Sequence, residues 1–93
     1  MRTIDRPGSF KRDYKREAKG PHRKTLDAVL VPVLRALVTD QALAPRYRDH
    51  DLTGDWNGHR ECHLKPDLLL IYRKVDDDSL ILVRLGSHSE LFG

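Results

Sequence analysis

HDLTGDWNGHRECHLKPDLLLIY, residues 50–72, decides how the rest of this chain is arranged. It opens as a loop carrying His50, Gly54, Trp56 and Gly58, then enters an alternating run, Arg60 to Leu64. If that run is a strand, Glu61 and His63 share one face and Cys62 and Leu64 share the other. Lys65-Pro66-Asp67 reads as a turn. The apolar stretch that follows, Leu68 to Val75, is nearly continuous, as expected of a central strand covered on both sides. Asp76-Asp77-Asp78-Ser79 is a second tight turn, and Leu80 to Leu85 is a third strand that Gly86 ends. Alternation places Leu80, Leu82 and Arg84 on one face of that strand, and Arg84 is assigned to the open face with His63. Ser87 is positioned to cap a final helical turn containing Leu91 and Phe92.

Upstream the period changes from two to near four. Phe10, Tyr14 and Ala18 recur at spacing four among lysines and arginines. The pattern predicts a basic amphipathic helix from Ser9, its expected N-cap, to Lys19, before Gly20-Pro21. Leu26, Leu30, Val33, Leu34 and Leu37 mark a second helix, Arg23 to Val38. Pro32 interrupts it at a cost of about 3 kcal/mol unless the helix bends, so a kink or break is expected near Ala28 to Pro32. Arg2 to Asp5 is short and β-compatible. Asp40 to Gly58 has little periodicity and reads as an ordered loop anchored by Tyr47 and Trp56. The order β-α-α-loop-β-β-β gives an α+β fold in which one domain, residues 1–93, packs two N-terminal helices on one face of a small antiparallel sheet, with a short C-terminal helical turn.

Composition narrows the function classes. No apolar run approaches the roughly 20 residues of a bilayer span, and the N-terminal stretch lacks the apolar core of an export signal. One cysteine, Cys62, permits no internal disulfide, and a cytoplasmic setting fits. Cys62 and His63 point to opposite faces of a strand and no pair has zinc-ligand spacing, so no metal site or cofactor is expected and Cys62 reads as a small buried apolar residue. The net charge is +3, but it is unevenly spread. The first 24 residues hold nine Lys or Arg against three acids, a net +6, which leaves −3 for the remainder. A basic segment on an acidic chain points to a polyanion partner, with Lys11 and Lys15 as candidate contacts.

The residues able to move protons are His50, His63, His88 and Asp67. His22 and His59 read as structural or exposed. Asp49-His50, Leu52, Gly54 and Trp56, then Gly58, Arg60 and His63, then Pro66-Asp67 with Ile71-Tyr72, then Arg84, Gly86, His88 and Leu91-Phe92-Gly93 together resemble the YafQ-type toxins of the RelE/ParE superfamily. The resemblance implies a RelE/ParE-like fold and the toxin half of a bacterial type II toxin–antitoxin pair. It implies an endoribonuclease (an mRNA interferase) that cuts mRNA in the decoding site of the 70S ribosome, is blocked by a cognate antitoxin, and meets operator DNA only through that antitoxin. Its catalytic set corresponds to His50, His63, Asp67, His88 and Phe92. Arg84 corresponds to a phosphate contact, and Glu61 lies beside the set in a supporting role.

The residue types fit that chemistry. RNA is cut without metal when its 2′-hydroxyl attacks the adjacent phosphate. The step needs a base, an acid and positive charge near the phosphate. Imidazole serves both proton roles near neutral pH, and a guanidinium fork matches phosphate oxygens. Asp67 is suited to accept a proton or to orient an imidazole, and Phe92 to stack on a base or to staple the C-terminus. Two alternatives share the fold: a ParE-like toxin that binds DNA gyrase without cutting RNA, and a degenerate module that only binds its antitoxin. Neither needs three histidines and an aspartate around a sheet.

Overall fold

A computed structural model describes residues 1–93. Five strands and three helices occur in the order β1 (Thr3–Asp5), α1 (Gly8–Glu17), α2 (Leu26–Val38), β2 (His50–Asp51), β3 (Arg60–Lys65), β4 (Leu68–Val75), β5 (Ser79–Gly86) and α3 (His88–Phe92). The sheet order is β1-β5-β4-β3-β2. β1 runs parallel to β5 and every other pairing is antiparallel, so the sheet is mixed rather than purely antiparallel. The expected loop from Asp40 to Gly58 is ordered by two 3₁₀ turns, Pro45–Tyr47 and Gly54–Trp56, and contains β2, too short to leave a periodic signal.

β4 explains its own sequence. Leu68, Leu69, Leu70, Ile71 and Tyr72 are all buried because both faces of the strand are covered. Leu68, Leu70 and Tyr72 join Cys62, Leu64, Leu80, Leu82 and Leu85 beneath Phe10 of α1 and Leu26, Leu30, Val33 and Leu37 of α2. On the opposite face Leu69 and Ile71 lie under Leu91, Phe92, Trp56 and Leu52.

β5 departs from strict alternation. Ile71 pairs with Arg84 but Tyr72 pairs with Leu82, which leaves one extra residue on β5. This bulge resets the parity, so Leu80 and Leu82, expected on the open face with Arg84, lie in the core with Leu85. A stripe of α1 holds the bulge. Ser9, expected as an N-cap, instead donates from Oγ to the Val83 carbonyl (3.0 Å), and Pro7 takes the capping position. Asp13 accepts from Arg84 Nε (2.6 Å) and from the Leu85 backbone N–H (3.0 Å). Arg16 donates to the Leu85 carbonyl (2.7 Å). Arg84, opposite Ile71, therefore keeps the face of His63 as expected, while its guanidinium is drawn to Asp13 of α1.

α1 is two residues shorter at its C-terminus than expected. α2 begins at Leu26, after turns through Pro21–Thr25, and continues unbroken past Pro32. Pro32 and Ala28 are both exposed, so the carbonyl that loses its helical partner faces solvent and no break is required.

Asp13 is only 4% exposed. Burial pushes its pKa up, but hydrogen bonds from Arg84 and Leu85 and the charges of Arg84 and Arg16 outweigh burial and hold it below the usual carboxylate range. Its contribution to stability is thus complete above about pH 4, the ordinary carboxylate range, and is lost as pH falls through the lowered value. Asp13→Ala strands a buried N–H and two guanidinium groups. It is expected to cost roughly 3 kcal/mol in urea unfolding at pH 7, with the gap to wild type narrowing on acidification. A loss under 0.5 kcal/mol would show that the clamp does not hold the bulge.

Candidate active site

The site is built on the sheet face opposite α1 and α2. β3 directs Cys62 and Leu64 into the main core, and Glu61 and His63 to the other side. Cys62 is fully buried, and burial pushes its thiol up to about 12. β2 lays His50 directly opposite Glu61. Glu61 is 6% exposed and stands between two imidazoles, its Oε2 at 3.6 Å from His50 Nε2 and its Oε1 at 3.3 Å from His63 Nε2.

A polar net fixes β2 and so His50. Asp49 accepts from the Tyr72 hydroxyl (2.5 Å) and from Arg60 Nη2 (2.9 Å), while Arg60 Nη1 donates to Asp51 (2.5 Å). Burial and the Asp49 hydrogen bond raise the Tyr72 pKa, and Asp49 raises that of Arg60. Both groups keep their protons and act as fixed donors. His50 Nδ1 donates to the Arg48 carbonyl (2.6 Å), which commits that nitrogen as the proton carrier. Nε2 of the neutral ring then offers a lone pair to Glu61.

The remaining candidates lie across Leu69. His63 pairs with Leu69, and Leu69 pairs with Gly86. The backbone of His63 is thus two strand spacings, about 10 Å, from the end of β5. There α3 begins. Ser87 caps it reciprocally: its Oγ accepts from the Glu90 N–H (3.2 Å) and its N–H donates to Glu90 Oε1 (2.8 Å). His88 is exposed on the first turn, and its backbone N–H donates to Asp67 Oδ1 (3.3 Å), which ties the β3–β4 turn to α3. Phe92 packs against the His88 ring (5.0 Å) and edge-on against Trp56 (5.9 Å), so it staples α3 as well as flanking His88. Trp56 and His59, whose Nδ1 donates to the Trp56 carbonyl (3.2 Å), are loop anchors.

His50, Glu61 and His63 therefore form one group, and Asp67, His88 and Phe92 another on the same face. Arg84 is held on Asp13. Lys11 and Lys15 line a cleft between α1 and α2, in the opposite layer. No three His, Cys, Asp or Glu side chains are grouped to hold a metal ion.

The site's geometry has a sequence counterpart over the whole chain. The profile described as "Bacterial toxin of type II toxin-antitoxin system, YafQ" matches residues 2–93. The chain belongs to the YafQ family of toxins. It is 34% identical over 92 residues to the mRNA interferase toxin YafQ of Escherichia coli K12, covering 97% of this chain and 99% of that one. YafQ from E. coli BL21(DE3) superposes with a TM-score of 0.87 at 33% identity, with both chains fully covered. The E. coli DinJ–YafQ complex gives 0.85 at 34%, again over the full length of both.

The residues that the sequence under-read are supports of this family's face. Glu61 looked like a bystander because its burial comes from β2. Arg16 had no assigned role, yet it reaches from α1 around the end of β5 to Glu90 (3.1 Å). Gly86 is what lets it pass: a Cβ there would lie 2.6 Å from Arg16 Nη2. Arg16→Ala, or Gly86→Ala, is expected to free α3. Amide exchange of Glu90 and Leu91 should quicken at least tenfold while the β4 amides keep their protection. Unchanged exchange in both variants would show that α3 is held by Phe92 and Leu91 alone.

Proposed function

We propose that this YafQ-family toxin is an mRNA endonuclease that cuts on the ribosome without a metal ion and is silenced by a cognate antitoxin. The observation that carries the reading is the seating of Glu61 between His50 and His63, with His88 and Asp67 across Leu69 on the same face. The relatives named as mRNA interferase, and the antitoxin complex of one of them, support the substrate class and the partner.

In-line attack needs a base on one side of phosphorus and an acid on the other. The two groups of side chains flank such a space. One side takes the proton of the 2′-hydroxyl as the 2′-oxygen bonds to phosphorus. The other gives a proton to the 5′-oxygen as its bond to phosphorus breaks. The products are a 2′,3′-cyclic phosphate and a 5′-hydroxyl. Glu61 lies within reach of both imidazoles and links the two on this side of the site. Asp67 acts through the His88 backbone, so we assign it as a positioning residue, and Phe92 offers the edge against which a base can rest.

The test is to map mRNA 5′ ends by primer extension after adding the purified protein to a translating extract, with naked RNA in EDTA as control. Discrete cuts are expected on translated message only. His88→Ala is expected to lower cutting by at least a hundredfold and Asp67→Asn by about tenfold, the scale of a lost proton-transfer group and of a misplaced one. An extract left uncut by folded wild-type protein would overturn the reading and turn attention to gyrase supercoiling.

A further inference from the structure

β2 is two residues long, so it covers β3 only at Arg60 and Glu61. Beyond it, His63, Leu64 and Lys65 border a groove of about 590 Å³, walled on the other side by Ala28, Val29 and Pro32 of α2 and by the 3₁₀ turn at Pro45–Tyr47. Three cations line this groove: Arg46, Arg48 and Lys65. None of them has a carboxylate within 4.0 Å, whereas Arg2, Arg16, Arg60, Lys74 and Arg84 are all paired. Arg46 lies over the Tyr47 ring (4.9 Å) and donates to its hydroxyl, and Lys65 Nζ donates to Thr25 Oγ1, so two of the three are positioned without being neutralised.

Arg48 connects the groove to the histidines. It sits in the left-handed region at φ 49, a conformation that costs a non-glycine residue about 1 kcal/mol. In that conformation its side chain borders the groove while its carbonyl receives the His50 Nδ1 proton. His63 forms the other junction, since it borders the groove and contacts Glu61. The groove therefore borders one imidazole, His63, and the residue that holds the other, His50, by its Nδ1. Arg84, the cation that sequence assigned to phosphate, is bound to Asp13 instead.

We infer that this groove takes the ribose-phosphate backbone of the RNA strand flanking the scissile phosphate, with Arg46, Arg48 and Lys65 as its phosphate contacts. The inference rests on the RNA-cutting reading of the adjoining histidines. A run of unpaired cations along one side of a groove, with apolar walls on the other against which sugars and bases can rest, suits a polyanion strand.

The test uses a 2′-O-methyl decaribonucleotide, which binds but cannot be cut, followed by fluorescence anisotropy across a salt series. The intact protein is compared with an Arg46→Gln, Arg48→Gln, Lys65→Gln triple variant and with an Arg12→Gln, Arg35→Gln control. All five side chains lie at the surface, and circular dichroism checks the fold. The triple variant is expected to bind at least tenfold more weakly at 0.1 M salt. Its slope of log affinity against log salt should fall by about 2, three contacts at about 0.7 each. The control should keep most of its affinity. In the intact protein, the oligonucleotide should shift the amide signals of Arg46 to Arg48 and of Lys65. Equal affinity and slope in the triple variant, or no shifts at those amides, overturns the groove. So does a triple variant that keeps RNA affinity and loses antitoxin affinity, which would give the groove to an acidic protein segment. Each of these leaves cutting in the translating extract unaffected, so the nuclease reading fails or survives separately.

Discussion

The buried carboxylate of Asp13 is the interaction on which the rest depends. It is taken out of water on α1, and the bulge of β5 supplies what it then needs: the Arg84 guanidinium and the Leu85 N–H. A charge removed from solvent demands good geometry from its partners, and here that demand fixes how α1 meets the sheet. Ser9 and Arg16, on the same stripe of α1, bond Val83 and Leu85 on either side of it. The bulge moves Leu85 into the main core in place of Arg84. Arg16 continues to Glu90 and so carries the constraint to α3, on the far side of the sheet. Glu90 is itself held below its usual carboxylate range, chiefly by the Ser87 N–H. One helix thereby sets both the core register and the seat of His88.

The two faces of the sheet divide the labour. The face under α1 and α2 holds the larger core and supplies rigidity. The other face is covered only by a small cluster around Leu69, Ile71 and Leu91, which leaves room beside it for polar groups. β2 and α3, the two shortest of the elements that shape this face, each bring histidine to it, and each is fixed by hydrogen bonds more than by burial. Asp49, Arg60 and Tyr72 hold the first, and the Ser87–Glu90 capping box holds the second. The histidines proposed to transfer protons, His50 and His88, thus sit on short, exposed elements, and buried or half-buried polar nets give those elements a defined position.

Much of this was legible in the sequence because it was periodic. The unbroken apolar run at Leu68 to Tyr72 marked a strand covered on both sides, and alternation from Glu61 to Leu64 put His63 opposite the helices. Ser87 signalled the start of the last helical turn. What was illegible arose from contacts between distant residues. A bulge leaves no mark in a run such as Leu-Ile-Leu-Val-Arg-Leu, so Leu80 and Leu82 were assigned to the face of Arg84 rather than to the core. Asp13 looked like one acid diluting a basic helix. Pro32 looked like a breaker because its exposure was unknown. β2 has two residues, too few for any period, and without it Glu61 could not be seen as the carboxylate between two imidazoles. Arg46, Arg48 and Lys65 are scattered in the acidic part of the chain, and only folding gathers them.

The central claim is that these side chains move protons for an attack by the RNA's own 2′-hydroxyl. The most direct measurement is the chemistry of the cut ends, read by mass spectrometry on a short message bound in translating ribosomes, together with the same message carrying one 2′-deoxynucleotide at the cut position. A 2′,3′-cyclic phosphate on the first, and no cutting of the second, is the result expected. A free 3′-hydroxyl, or cutting of the deoxy-substituted message, would mean that water or another nucleophile attacks the phosphate, and the roles given to His50, Glu61, His63 and His88 would not stand.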